Sequence, residues 1–362
     1  MSRSPKPTAA PTLSPTQPPT DEPTASPTSS PTAAPTLSPT QPPTDEPTAS
    51  PTSSPTAAPT LSPTQPPTDE PTASPTSSPT AAPTLSPTQP PTDEPVTCSN
   101  FPDGINDFFL HGNGVTVCCP SATVGDSGMV NGILYTKRDR SAIRSNFPLA
   151  STTCTSGVTD MALLIQGASS FNGNISTWDT SSVTTMASMF AGASLFNGDI
   201  SNWDTSRVTT MASMFLLAGS FNGDISNWDT SSVTTMASMF QQTRLFNGDL
   251  SNWDTSSVIN MFGMFRLASS FNGDLSNWDT SSVINMFGMF FLASSFNGDI
   301  SNWDTSIVTN MAGMFNGASS FNQDLSGWCV ELIAAKPTSF DSGSSAGFVN
   351  DVDRQPQWGQ SC

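Results

Sequence analysis

A unit of 25 residues repeats from residue 158 to residue 332, and this repeat constrains the fold more than any other feature of the chain. Large aromatic side chains recur in register in every unit. The tryptophans are Trp178, Trp203, Trp228, Trp253, Trp278, Trp303 and Trp328. The phenylalanines, each followed by Asn, are Phe171, Phe196, Phe221, Phe246, Phe271, Phe296 and Phe321. One such unit cannot bury its own apolar face, so the pattern predicts seven stacked units with both aromatic columns in the core.

Within one unit, the sequence predicts a short helix and a short strand. The apolar positions of residues 183–193 fall at spacings of three and four, which describes one face of a helix. Residues 179–182 precede this segment and are of the types preferred at helix N-termini. Residues 199–201 alternate in polarity around Ile200, as expected for a strand. The predicted fold class is therefore α/β, a leucine-rich-repeat-like solenoid with one short parallel strand per coil.

The repeat motif is similar to that of a known family. Residues 221–240 read FNGDISNWDTSSVTTMASMF, which resembles the FNxDIxxWDTSxVTxMxxMF pattern of the BspA-like leucine-rich-repeat surface proteins. That repeat is a domain of unknown function in bacterial and protist surface proteins. The resemblance covers residues 155–330 and implies a non-enzymatic, extracellular module for adhesion or interaction. It names no ligand.

The composition divides the chain into four segments. Residues 1–95 contain 28 of the 33 prolines and no aromatic residue, which predicts a disordered Pro/Thr/Ser stalk. A plain linker, an O-glycosylated spacer and a ligand for a proline-recognition domain all fit this composition. Residues 96–157 are predicted to form an N-terminal cap, with strands over 114–119 and 129–136 and a turn over 124–128. The repeats occupy 158–332, and 333–362 form a C-terminal cap.

All six cysteines lie outside the regular part of the repeats. They are Cys98, Cys118, Cys119, Cys154, Cys329 and Cys362. An even number of cysteines, confined to the two ends, predicts disulfide-bonded caps and an oxidising compartment. We expect a Cys329–Cys362 bond, and two further bonds that join the adjacent pair at 118 and 119 to Cys98 and Cys154. A zinc site is the competing interpretation, although the spacing matches no common ligand pattern.

Charge and residue usage exclude several classes of function. The net charge of −18 repels phosphate backbones, so nucleic acid is not an expected partner. His111 is the single histidine, which removes most schemes that need an imidazole base. No run is long enough to be a transmembrane segment, and residues 1–5 lack the apolar core of a secretory signal. The cysteines and the stalk nevertheless predict an extracellular or cell-surface location.

Two columns of aspartates follow from stacking the units. The first, on the predicted sheet face, comprises Asp199, Asp224, Asp249, Asp274, Asp299 and Asp324. The second, before each predicted helix, comprises Asp179, Asp204, Asp229, Asp254, Asp279 and Asp304. The second column is interpreted as helix N-caps. In the first, neighbouring carboxylates would repel by about 1–3 kcal/mol per pair. Hydrogen bonds to the backbone with splayed side chains, or calcium ions bridging the coils, would relieve this repulsion.

The sequence thus predicts a secreted or cell-surface protein that binds extracellular protein or glycan. Residues that change from unit to unit, such as Leu216, Leu217 and Phe291, are candidate exposed anchors for a partner. The alternative is a calcium- or crystal-face-binding protein that uses the Asp/Ser ladder. No catalytic residues and no cofactor other than calcium are expected. An enzyme is a distant third possibility, because no carboxylate pair differs from its neighbours.

Overall fold

The computed structural model describes Cys98 and residues 107–362. The predicted stalk, residues 1–95, lies outside the described residues. In the described part, small β-sheets and a few short helices precede a long run of hydrogen-bonded turns along the chain, and two more short helices follow it. None of the helices in residues 107–362 is both long and apolar enough to cross a membrane.

Two small sheets form the N-terminal region. Strand β1 (Phe109–Leu110) pairs antiparallel with β2 (Val117–Cys118), which lies within the strand predicted over 114–119. Strands β3 (Ser127–Val130) and β4 (Ile133–Lys137) form a hairpin, and β5 (Thr153–Cys154) adds to β4 in parallel. A second apolar cluster, separate from that of the repeats, lies between these strands.

The predicted single strand over 129–136 is wrong, because a turn divides it. Asn131 and Gly132 both have positive φ, at 50° and 80°. This is the conformation of a tight two-residue hairpin turn, for which Asn-Gly is the preferred sequence. A turn therefore lies at 131–132. The turn predicted over 124–128 is also present, at residues 124–125, where the Asp126 amide donates to the Thr123 carbonyl at 3.0 Å, and β3 follows it.

Short helices follow the first sheets and end the chain. Helix α1 (Arg140–Ser145) begins after Asp139, whose carboxylate accepts a hydrogen bond from the Ala142 amide at 2.8 Å. A 3₁₀ helix (Phe147–Thr152) follows it. Near the C-terminus, helix α2 (Ala346–Val349) is followed by a 3₁₀ helix (Val352–Arg354).

The helix predicted in each unit is wrong: among the described residues, no α-helix lies between β5 and α2. Alternate backbone amides bond instead to carbonyls of the next unit. The Met186, Ser188 and Phe190 amides donate to the carbonyls of Thr210, Ala212 and Met214 at 3.1, 2.8 and 2.9 Å. The amides between them bond within the unit and form turns, as Met189 N does to Met186 O at 3.1 Å. Backbone amides that would donate within a helix therefore donate to the next unit instead.

A left-handed residue in each unit explains why a helix cannot form there. Ser188 has φ 54°, and Ser213 and Ser238 repeat this conformation in the next two units. A right-handed helix cannot pass through such a residue, since its φ is negative throughout. Three later units place Gly at this position, and glycine adopts the conformation without strain.

The parallel contacts between units lie at the start of the segment predicted as helix. A bridge joins Asp160 to Thr185, and each following bridge makes the same step to the next unit. The bridged residues are Asp160, Thr185, Thr210, Thr235, Asn260, Asn285 and Asn310. The strand predicted at 199–201 is wrong, because residues 199 and 200 have no strand assignment and residues 201 and 202 form a turn. Successive units nevertheless lie directly against one another in chain order from residue 160 to residue 310.

Three aromatic columns fill the interior of the repeats. The seven repeat tryptophans are at most 4% exposed, and the first phenylalanine column at most 8%. Rings of that column stack 5.9–6.0 Å apart from unit to unit. A further column begins at Phe190, whose ring stacks 4.0 Å from Phe196. Each tryptophan Nε1 donates to a carbonyl of the preceding unit or cap at 2.9–3.2 Å, so the indoles are both buried and hydrogen-bonded.

The last unit is covered by aromatic rings in edge-on contact. Phe340 lies edge-on to Phe315 at 5.3 Å, and Phe348 lies edge-on to Phe321 at 5.0 Å. Trp358 in turn packs against Phe340 at 4.9 Å. The stacked columns therefore end against perpendicular rings, which a further unit of the repeat would not present.

We predict that deleting residues 281–305 leaves a folded protein. The deletion joins Thr280 to Ser306 and keeps every inter-unit bond in register, because units 256–280 and 281–305 are almost identical. The thermal midpoint should fall by no more than about 5 °C, since each unit contacts only its neighbours. Calorimetry measures this. A control deletion of 281–292 shifts the register and should abolish the cooperative transition. If both deletions behave alike, the stacking is not what stabilises the repeats.

Candidate functional site

The first aspartate column lies on the surface and is held by local hydrogen bonds. Each Oδ1 accepts from the backbone amide of the serine two residues on, at 2.9–3.0 Å. In Asp199 and Asp224, the same Oδ1 also accepts a hydrogen bond from the hydroxyl of that serine, at 2.7 Å. These bonds close a turn around each carboxylate. Of the alternatives raised by the sequence, bonding to the backbone is therefore present in every unit from 199 to 324.

These hydrogen bonds favour the ionised form of five carboxyls of the column. The serine amide, as the largest cause, lowers the pKa of five carboxyls, those of Asp224, Asp249, Asp274, Asp299 and Asp324. Repulsion from neighbouring carboxylates raises the pKa of Asp274 less than the amide lowers it. The repulsion expected from the sequence is thus outweighed locally, because each charge has its own donors.

The second aspartate column does not cap helices. Asp204, Asp229 and Asp254 each accept the amide of the serine two residues on at 3.0 Å, which is the turn of the first column again. The N-cap interpretation is wrong for this reason: within the described repeats, no helix follows these aspartates. Asp179 differs from the rest, since it is buried and its Oδ2 accepts from the Ser156 hydroxyl at 2.5 Å.

The structure pairs all six cysteines. Cys98 bonds to Cys118, Cys119 to Cys154, and Cys329 to Cys362. The Cys329–Cys362 bond is the one predicted from the sequence. The sequence also predicted that Cys98 and Cys154 bond to the adjacent pair, and of the two possible arrangements the structure has Cys98 with Cys118 and Cys154 with Cys119. The zinc interpretation does not hold, because metal ligation requires thiolates and these sulfurs are oxidised.

Candidate metal ligands converge at one place in the part of the chain that the structure describes. Cys98, Cys118 and Asp179 bring their ligand atoms within 4.8 Å of one another. The two sulfurs of this group form a disulfide. Within residues 107–362, therefore, the first aspartate column brings no three carboxylates to one point.

The asparagine that follows each phenylalanine links one unit to the next. Its Oδ1 accepts the backbone amide of the corresponding asparagine in the following unit, at 2.7–2.9 Å. Asn197, for example, accepts from Asn222 and donates its own amide to Asn172. This column is thus structural, although its side chains border the exposed aspartates.

An apolar strip lies on another part of units 256–280 and 281–305. We define it by Ile259, Phe262, Ile284, Phe287 and Phe291. Ile259 and Ile284 are 46% and 43% exposed, and Phe262 is 37% exposed. The rings of Phe262 and Phe287 stack 5.2 Å apart.

The strip only partly coincides with the anchors named from the sequence. Of those anchors, Leu217 is exposed, whereas Leu216 and Phe291 are half-buried. The guanidinium of Arg266 lies 4.0 Å above the Phe291 ring. Sequence reasoning missed Phe262 and Phe287. Their signal was available, because the same position holds alanine in earlier units: Ala187, Ala212 and Ala237.

Comparison with known proteins finds one family. The family model described as a Mycoplasma protein of unknown function, DUF285, matches residues 141–252 and again residues 238–351. Together these matches extend over more than half of the 362 residues. No curated protein and no solved structure matches the chain.

We predict that stability is lost on acidification. The aspartates whose pKa is lowered in the folded state bind protons more readily when unfolded, where the pKa is about 3.9. Their contribution is therefore complete above that value and is lost as pH falls through the folded pKa. The thermal midpoint should be level from about pH 7 to pH 5 and fall below about pH 4. The double variant Asp249→Asn, Asp274→Asn should show a shallower fall; a midpoint that rises in acid contradicts the assignment.

Proposed function

The chain belongs to the DUF285 family, and we propose that it is a non-enzymatic binding module, secreted or displayed at the cell surface, that acts in adhesion to extracellular protein or glycan. The apolar strip is the observation that carries this proposal. Phe262 and Phe287 occupy a position where alanine suffices in other units, so packing does not require them. Clustered, exposed aromatic and aliphatic side chains are typical of protein-binding surfaces.

The disulfides support the location. Three disulfides join the described cysteines, and such bonds persist in oxidising compartments outside the cytosol. The resemblance of the repeat motif to BspA-like surface proteins favours the same location. We include in the proposal that the repeats form a leucine-rich-repeat-like solenoid, supported by the parallel bridges that recur at the same position of successive units.

The strip can be tested with substitutions that the repeat already contains. The full chain is screened against extracellular matrix proteins and a glycan array. Phe262→Ala with Phe287→Ala should weaken binding at least tenfold, because the aromatic contact area is lost. The melting temperature should change little, since alanine fits this position in other units.

The control truncates side chains elsewhere that are more exposed than Phe262 and Phe287. Leu195→Ala with Leu245→Ala truncates two leucines that are 57% and 58% exposed and lie outside the strip. It should change the affinity less than twofold. Absence of binding by the unmodified chain, or an equal loss in both variants, would contradict the assignment of the strip.

A second candidate is a calcium- or crystal-face-binding protein that uses the first aspartate column. The observation that favours it is the ionised, exposed carboxylate in successive units, each engaged through Oδ1. Calorimetric titration with calcium should give saturable heat that Asp249→Asn and Asp274→Asn remove. Asp353→Asn, which alters a carboxylate outside the column, is the control. A flat trace for the unmodified chain removes this candidate.

A further inference from the structure

A polar pocket lies where the N-terminal sheets meet the first repeat units. Its volume is about 510 Å³, within the range of about 300–1,000 Å³ typical of small-molecule sites. His111 lines it from the loop between β1 and β2, and Thr180, Asp204 and Arg207 line it from the repeats. Neither the apolar strip nor the first aspartate column contributes to this lining.

Thr180 lacks a hydrogen bond that the corresponding threonines make. At this position the hydroxyl normally donates to a backbone carbonyl of the next unit, at 2.7–2.9 Å. The threonines that do so are Thr155, Thr205, Thr230, Thr255, Thr280 and Thr305. Thr180 is only 2% exposed, yet its Oγ1 has no partner among the described residues. A buried hydroxyl without a partner is unfavourable, and a ligand atom in the pocket would satisfy it.

Two donors that line the pocket, His111 Nε2 and the Arg207 guanidinium, have no hydrogen-bond or ion-pair partner among the described residues. The Nδ1 atom of His111 accepts the Asn113 backbone amide at 3.1 Å, so the neutral ring carries its proton on Nε2. Arg207 takes part in none of the ion pairs of the described residues. Its position is occupied by serine, isoleucine or leucine in the other units, so the scaffold does not require a guanidinium there. The corresponding residues are Ser182, Ser232, Ser257, Ser282, Ile307 and Leu332.

Two carboxylates that line the pocket, those of Asp179 and Asp204, offset the positive charge of Arg207. Asp204 accepts hydrogen bonds from Ser206 through Oδ1, at 3.0 and 2.6 Å, which leaves Oδ2 as an acceptor. Asp179 also lines the pocket, but Ser156 and Ser181 occupy its two oxygens. Two carboxylates against one guanidinium disfavour an anionic ligand.

We propose that this pocket binds the end of a neutral saccharide, one or two rings long. Each sugar hydroxyl both donates and accepts, which matches a lining with unpaired donors, an unpaired hydroxyl and a carboxylate oxygen. This inference rests on the proposed function in the case where the partner is a glycan, and it assigns a binding site to that partner.

The test uses the full chain and a panel of neutral disaccharides (lactose, maltose, cellobiose and laminaribiose), with glucuronic acid as the anionic probe. Calorimetry or saturation-transfer NMR should show saturable binding of at least one neutral disaccharide. Arg207→Ser, which installs the residue of other units, should weaken that binding at least tenfold. Thr180→Val should weaken it at least threefold.

A matched threonine separates ligand binding from folding. Thr230→Val removes a hydroxyl that donates to the Asp254 carbonyl at 2.8 Å, so it should lower the thermal midpoint and leave disaccharide binding unchanged. Thr180→Val removes an unpartnered hydroxyl, so the midpoint should stay level or rise. Equal destabilisation by both variants, or tighter binding of glucuronic acid, would overturn the inference.

The outcome is distinguishable from failure of the proposed function. If the unmodified chain and the Arg207→Ser variant bind the same matrix protein or glycan equally, and no disaccharide binds, the pocket is not a saccharide site while the proposed function stands. If binding to a glycan partner is lost in Arg207→Ser and kept in the Phe262→Ala, Phe287→Ala variant, the pocket is the glycan site.

Discussion

The backbone hydrogen bond from each unit to the next is the interaction on which the rest of the structure depends. Alternate amides of residues 186–192 reach carbonyls of the following unit, while the intervening amides close turns within their own unit. The two sets together satisfy the buried backbone without helix or extended sheet. They also require every unit to have the same length. Insertion of one residue would misalign the amides, the Asn side chains and the stacked rings at once.

Because the backbone and the buried columns hold the units together, many surface positions are free to vary. The position of Phe262 accepts alanine, and that of Arg207 accepts serine, isoleucine or leucine, with the same turns around them. Side chains that depart from the repeat at such positions are therefore informative about binding. The apolar strip on units 256–305 and the Arg207 guanidinium at the pocket both depart from the repeat in this way, although the two surfaces differ in chemistry.

The sequence predicted the stacking and the buried aromatic columns, and it could not predict the path of the backbone. A spacing of three and four between apolar residues is compatible with a helix and equally with consecutive turns, since both bury the same side chains. The deciding feature is the left-handed Ser188, and serine carries no strong preference for that conformation. By contrast, the Asn131-Gly132 turn had a clear sequence signal that the strand prediction overlooked. The pocket depends on a missing hydrogen bond at Thr180, which no sequence pattern reveals.

The aspartate columns show how so acidic a chain can stack like charges in register. Asp and Ser two residues apart recur twice in most units, and each pair forms the same turn. In five carboxyls of the first column, the donors of the carboxylate's own unit lower the pKa more than the neighbouring carboxylates raise it. A cation bound on this face would therefore add to a scaffold that is already stable. That separates this column from structural calcium sites, in which the ion itself holds the ligands in place.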